Sequence, residues 1–222
     1  TLGLMRRFGV AAEGSPEEGM SVPVGGYQAR ELTIEPDAST ASYFFAAAAL
    51  TGRTLTVPAL GTSSAQGDLA FVDVLEAMGA RVERQADATT VTGPPGGLVG
   101  GVAIDMNAIS DTMMTLAAVA PYADGPVTIT GVGHTRRKES DRVAVTAANL
   151  RACGVPVEEG EDWLRIHPAR PRSATVACHR DHRIAMSFSV LGLLAPGVVL
   201  DDPECVTKTF PGFHQEFARL FR

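Results

Sequence analysis

The chain has 222 residues, 45% of them hydrophobic, and a formal net charge of −6. That length can bury one large core or two small ones, while the acidic balance and an aromatic content of 6% exclude nucleic acid as the main partner, which calls for a basic face and stacking platforms. The longest apolar run, residues 43–50, is far too short to cross a bilayer, and the opening TLGLMRRFGV lacks the apolar core and cleavage site of a signal peptide, so a cytoplasmic location is expected and no membrane partner.

In chain order, residues 1–8 read as the second helix of a unit whose earlier part is absent. Residues 14–19 read as a polar hairpin tip and Gly25-Gly26 as a turn. A full unit follows: strand 31–35, helix 39–50, strand 54–59, helix 68–78 and a hairpin of 81–84 with 89–92. The same order recurs as strand 102–106, helix 110–122, strand 127–132, helix 139–153 and a hairpin of 155–159 with 163–167. A third unit begins with 174–178, 183–194, 198–200 and 211–221 and stops without its hairpin. In each unit an apolar helical stripe ends at a glycine (Gly9, Gly79, Gly154), and these recur about every 70 to 75 residues, the span of a whole supersecondary unit. The expected organisation is therefore residues 1–35 as the tail of an incomplete unit and 36–222 as three units, the last short of its hairpin. An N-terminal portion of the same protein is expected to supply the remainder, and these 222 residues alone are expected to be marginally stable, aggregation-prone and inactive.

The stretch at 134–142, HTRRKESDR, sits between a strand and a helix, where the helix dipole favours anions. Cations there cost stability unless something negative meets them, and Lys138, Glu139 and Arg142 are expected within about the first helical turn, converging on one spot. A plainer reading is a solvated basic turn neutralised by Glu139 and Asp141. Two more helix starts carry cations, CHRDHR at 178–183 and CVTKTFP at 205–211, while a fourth carries Asp111. Alone, Asp111 is an N-cap or first-turn acid; set opposite Lys138, Arg142 and Arg183, it is a candidate base held ionised by its neighbours. GPPGG at 93–97 is no phosphate loop, since it lacks the lysine and its prolines remove N–H donors. Cys178, His179 and His182 lack a second Cys/His pair at zinc spacing, and the three cysteines give no disulfide framework. No metal and no cofactor are expected.

HTRRKESDR at 134–142, DHRIAM at 181–186, KTFP at 208–211, DASTASYF at 37–44 and QGD at 66–68 together resemble the 3-phosphoshikimate 1-carboxyvinyltransferase family, the 5-enolpyruvylshikimate-3-phosphate synthases. The resemblance spans nearly the whole chain and corresponds to about the C-terminal half of such an enzyme. It implies an α/β fold of repeated βαβαββ units around a pseudo-threefold axis, forming one lobe of a two-lobed enolpyruvyl transferase that is a monomer when complete. It implies transfer of the enolpyruvyl group of phosphoenolpyruvate to the 5-hydroxyl of shikimate 3-phosphate, with release of phosphate. By the same resemblance Asp111 is the proton acceptor and Glu139 the proton donor; Asp111, His134 and Lys138 face shikimate 3-phosphate; Arg142, Arg183 and Lys208 face phosphoenolpyruvate. The rivals are a related transferase acting on a UDP-amino sugar, from which the KESDR, DHRIAM and KTFP runs point away, and a folded but non-catalytic anion-binding half of the enzyme.

Overall fold

In the computed structural model, which describes residues 1–15 and 17–221, the chain divides into two compact units, Thr1–Glu35 and Pro36–Arg222. The smaller contains α1 (Leu2–Arg7) and a hairpin of β1 (Glu13–Ser15) with β2 (Gly19–Ser21). No residue of α1 is buried, and Leu4 is 56% exposed. The strand expected at 31–35 does not form. Its Leu-Thr-Ile alternation favours an extended chain, but a strand persists only where a partner takes up its N–H and C=O groups, and none of the described strands pairs with it.

The larger unit is built around three helices: α2 (Ala38–Thr51), α4 (Met113–Val119) and α6 (His182–Leu191), with α3 (Phe71–Ala77) and α5 (Arg142–Ala152) outside them. Asp37 caps α2 by accepting from the Ser39 and Thr40 amides at 2.8 and 3.2 Å, and Gly52, at φ +70°, ends it in the left-handed region. The alanines Ala46 to Ala49 and Ala117, Ala118 and Ala185 are all at most 2% exposed, and such small side chains let α2, α4 and α6 pack against one another. Ser42 and Thr115 place their hydroxyls 3.0 Å apart across the α2–α4 contact, satisfying two buried polar groups.

Each central helix belongs to one repeat and carries its own sheet. The first is β3 (Thr54–Pro58), β4 (Arg81–Arg84) and β5 (Ala88–Thr92) in the order β3-β5-β4, all antiparallel. The second is four-stranded: β6 (Val102–Asp105) lies parallel to β7 (Val127–Thr130), followed by β9 (Trp163–Ile166) and β8 (Val157–Glu159), both joins antiparallel. The third has only the parallel pair β10 (Ala174–Val176) and β11 (Val198–Leu200) among the described residues. This is an α/β fold, and its second repeat has the full strand-helix-strand-helix-hairpin order.

Several helices start or break differently from expectation. The span 110–122 divides into a 3-10 turn (Asn107–Thr112), α4 and a second 3-10 turn (Ala120–Tyr122), because Ile109 leaves helical geometry at φ −129° and Pro121 offers no N–H. Helix α5 begins at Arg142, three residues later than position 139. Asp141 caps it by accepting from the Ala144 amide at 2.9 Å, so Lys138 and Glu139 lie in the connection that follows a 3-10 turn, Gly133–Arg137. The span 68–78 likewise opens as a 3-10 turn, Gly67–Ala70, before α3, and the last helix, α7 (Phe213–Phe221), starts after Pro211 instead of at it.

Helix α7 buries Phe213, Phe217 and Phe221 on one face, and Phe44 of α2 meets Phe213 and Phe217 edge-on with centroids 5.7 Å away. This aromatic seam anchors the C-terminal segment just beyond the 3-10 turn Pro203–Lys208. Phe213 is fully buried, so Phe213→Ala is expected to cost about 3–5 kcal/mol of unfolding free energy. Urea unfolding measures this; a loss below about 1 kcal/mol would mean that the seam does not hold the helix in place.

Candidate anion-binding active site

Four helix starts or connections deliver the charged side chains expected from the sequence. Asp111 comes from the 3-10 turn before α4, Lys138 and Glu139 from the connection before α5, Arg142 from the first residue of α5, Arg183 from the first turn of α6, and Lys208 from the end of the 3-10 turn Pro203–Lys208. Asp111 Oδ1 accepts from Lys138 Nζ and from Arg142 Nη1 at 3.0 Å, and its Oδ2 accepts from Arg183 Nη2 at 3.0 Å. Glu139 Oε2 accepts from Arg142 Nη2 at 2.6 Å and Oε1 from Lys208 Nζ at 3.0 Å. The six residues form one continuous network. His134 joins it indirectly, its Nε2 2.8 Å from Ser110 Oγ, which also receives Lys138 Nζ at 3.3 Å.

At the centre lies Arg142, whose side chain is 1% exposed. A guanidinium in that setting must place its fixed fan of donors on acceptors, and a third carboxylate, Asp181, completes the set. Arg142 Nε donates to Asp181 Oδ2 at 2.9 Å, and Ser140 Oγ donates to the same oxygen at 2.9 Å. Asp181 is fully buried and also caps α6, its Oδ1 accepting from the Arg183 amide at 3.0 Å. One aspartate therefore holds the Arg142 guanidinium and the backbone amide of Arg183, a role that sequence reasoning did not assign although Asp181 stands within the DHR run. Ser110, Ser140 and Asp68 were likewise missed. The plainer reading holds for Arg136, which pairs with Asp141 at 2.9 Å and donates to Gly160 O at 2.7 Å, outside the network.

The electrostatics follow the pairing. Burial pushes the Asp111 carboxyl up, but the hydrogen bond from Lys138 and the charges of Arg183, Lys138 and Arg142 outweigh it and hold the group below its ordinary value. Burial acts the same way on Glu139, and the Lys208 hydrogen bond, a backbone amide and Arg142 bring it down to about 2. Asp68 goes the other way: burial and the charges of Asp111 and Asp37 raise it against the hydrogen bond from Ser39 Oγ. Tyr43, buried beside Arg183, is pushed up to about 12, chiefly by burial. The site is thus largely self-neutralised, its cations satisfied by its own carboxylates. An entering anion would take over these cations and release a carboxylate, which places an acid-base group next to whatever binds. A recess of about 550 Å³ between α2, β3 and α7 is lined by none of these network residues. Among the described residues, no group of three His, Cys, Asp or Glu side chains is placed to hold a metal ion.

Asp181→Asn keeps the shape and the helix cap but leaves Arg142 without its fully buried counterion. It is expected to lower stability by about 3–5 kcal/mol, the range for breaking a buried pair from one side. Chemical denaturation checks this; a change within about 0.5 kcal/mol would show that Asp111 and Glu139 suffice to hold Arg142.

The sequence model of the family described as EPSP synthase (3-phosphoshikimate 1-carboxyvinyltransferase) matches residues 1–217. The chain is 46% identical over 221 residues to the 3-phosphoshikimate 1-carboxyvinyltransferase of Nostoc punctiforme, covering 99% of this chain and 51% of that protein. Among solved structures, EPSP synthase from Acinetobacter baumannii superposes with a TM-score of 0.81 at 27% identity, over 97% of this chain and 53% of that one. The enolpyruvyl transferase NikO from Streptomyces tendae shares the fold, with a TM-score of 0.74 at 20% identity over 99% of this chain and 51% of its own. The chain spans about half the length of these relatives. With a family match along nearly its whole length, it belongs to the EPSP synthase family.

Proposed function

We propose that the protein to which these residues belong transfers the enolpyruvyl group of phosphoenolpyruvate to the 5-hydroxyl of shikimate 3-phosphate and releases phosphate. The observation that carries this reading is the shared grip of Asp111 and Glu139 on Arg142, with Lys138, Arg183 and Lys208 completing the cationic side. Two anionic substrates must be brought together against mutual repulsion before a carbon–oxygen bond forms, which calls for several cations on one spot. Residues 1–35 are then the end of the other lobe and 36–222 one lobe of a cytoplasmic enzyme that is monomeric when complete, the N-terminal portion supplying the rest of the site.

In this mechanism Asp111 takes the proton of the attacking 5-hydroxyl as its oxygen adds to C2 of phosphoenolpyruvate, and Glu139 gives a proton to C3. Elimination returns a C3 proton to Glu139 as the C2–O bond to phosphate breaks, and the proton held by Asp111 passes to the departing phosphate, restoring both carboxyls to their starting states. Asp111 suits the first task because its neighbours keep it ionised. Glu139, at about 2 in the free site, is a carboxylate until its partners are drawn away. The anionic groups of phosphoenolpyruvate, by taking Arg142 and Lys208, would remove the two cationic hydrogen bonds that hold Glu139 down and let it carry a proton.

Asp111→Asn and Glu139→Gln preserve shape and most hydrogen bonding while removing proton transfer. In the complete-length protein each is expected to lower turnover by roughly 10²–10⁴, measured as phosphate release, with phosphoenolpyruvate binding largely kept. Near-normal turnover in either variant would take that residue out of the mechanism, and absence of turnover with shikimate 3-phosphate in the unaltered protein would overturn the reading itself.

A further inference from the structure

Ser110 is 7% exposed and precedes Asp111 in the same 3-10 turn. Its Oγ lies 3.3 Å from Lys138 Nζ and 2.8 Å from His134 Nε2. A lysine ammonium has donors and no acceptor, so toward Lys138 the hydroxyl can only accept. Its single proton then has one protein acceptor in reach among the described residues, the unprotonated Nε2 of His134. His134 Nδ1 makes no hydrogen bond among the described residues.

We propose that Ser110 is a positioning residue that passes the hydrogen bond of Lys138 on to His134, fixing the neutral imidazole as its Nδ1–H tautomer and leaving that N–H as an uncharged donor for a ligand oxygen. The same hydroxyl ties Lys138, which also grips Asp111, to the histidine, so the cation and the neutral donor are set as a pair. An unconstrained imidazole favours the opposite tautomer, so the relay has a definite spectroscopic signature. The tautomer stands on geometry alone; its use in holding shikimate 3-phosphate rests on the function proposed above.

The test is nitrogen NMR of the histidine-labelled complete-length protein at about pH 8, with His134→Asn used to assign the signal. The expected result is a pyridine-like, proton-free Nε2 and a protonated Nδ1 at His134, retained in Ser110→Thr and shifted toward Nε2–H in Ser110→Ala. A wild-type spectrum dominated by the Nε2–H form would overturn the proposal without reference to any variant. In the complete-length protein, His134→Asn, whose amide nitrogen overlays Nδ1, should keep most of the shikimate 3-phosphate affinity, and His134→Gln, whose nitrogen overlays Nε2, should lose about tenfold. Equal affinities in the two variants would overturn the ligand role. The spectra decide the tautomer whether or not shikimate 3-phosphate binds, so failure of the substrate reading stays distinguishable from failure of the relay.

Discussion

A guanidinium with a 1% exposed side chain is the constraint on which the rest of the larger unit depends. Burying Arg142 costs several kcal/mol in desolvation, and that cost is met only because carboxylates arrive from three separate places: Asp111 before α4, Glu139 just ahead of α5, and Asp181 at the cap of α6. None of these positions is adjacent in sequence to all the others. Each must be delivered by a correctly packed repeat, so the ion network and the helix packing specify each other. Asp181 illustrates the coupling most directly, since the oxygens that hold Arg142 also receive the Arg183 amide and start the helix.

That delivery is possible because the central helices approach closely. The alanine faces of α2 and α4 and Ala185 of α6 leave little side-chain bulk between backbones, and the helix starts therefore gather on one side of the bundle. Helix N-termini concentrate unpaired N–H groups and positive dipole ends, which suits anions. Adding Lys138, Arg142, Arg183 and Lys208 to such a place would be destabilising in isolation, and the structure resolves the conflict by supplying internal anions.

Much of this was legible in the residues. Glycines after Phe8, Met78 and Cys153 mark the ends of helices or helical turns, all three at positive φ, and the recurrence of that pattern carries the repeat. The cations stand out because they occupy places where helix physics disfavours them. What escaped was tertiary in origin. Asp141 competes successfully as the cap of α5 and moves Lys138 and Glu139 out of the helix, yet Glu139 still meets Arg142 and Lys138 still meets Asp111. Residues 31–35 have strand-like composition, yet the described strands form their ladders among themselves. Asp181 and Ser110 look like ordinary capping or turn residues until their partners, 39 and 28 positions away, are placed beside them.

The central claim is that the carboxylates of the free site stand in for the ligand's anions. It is tested most directly by measuring protons taken up on phosphoenolpyruvate binding in the complete-length protein, by calorimetry in buffers of differing ionisation enthalpy near about pH 5. Glu139 sits at about 2 in the free site, below its ordinary 4.5. If the ligand takes Arg142 and Lys208 away from it, its carboxyl rises and binds a proton, so the unaltered protein should take up more protons on binding than Glu139→Gln, in which only the ligand phosphate's own titration remains, and the difference should fade as the pH climbs toward neutrality. Equal proton exchange in the unaltered protein and in Glu139→Gln would show that Glu139 keeps its partners and that the ion network is not the device the ligand displaces.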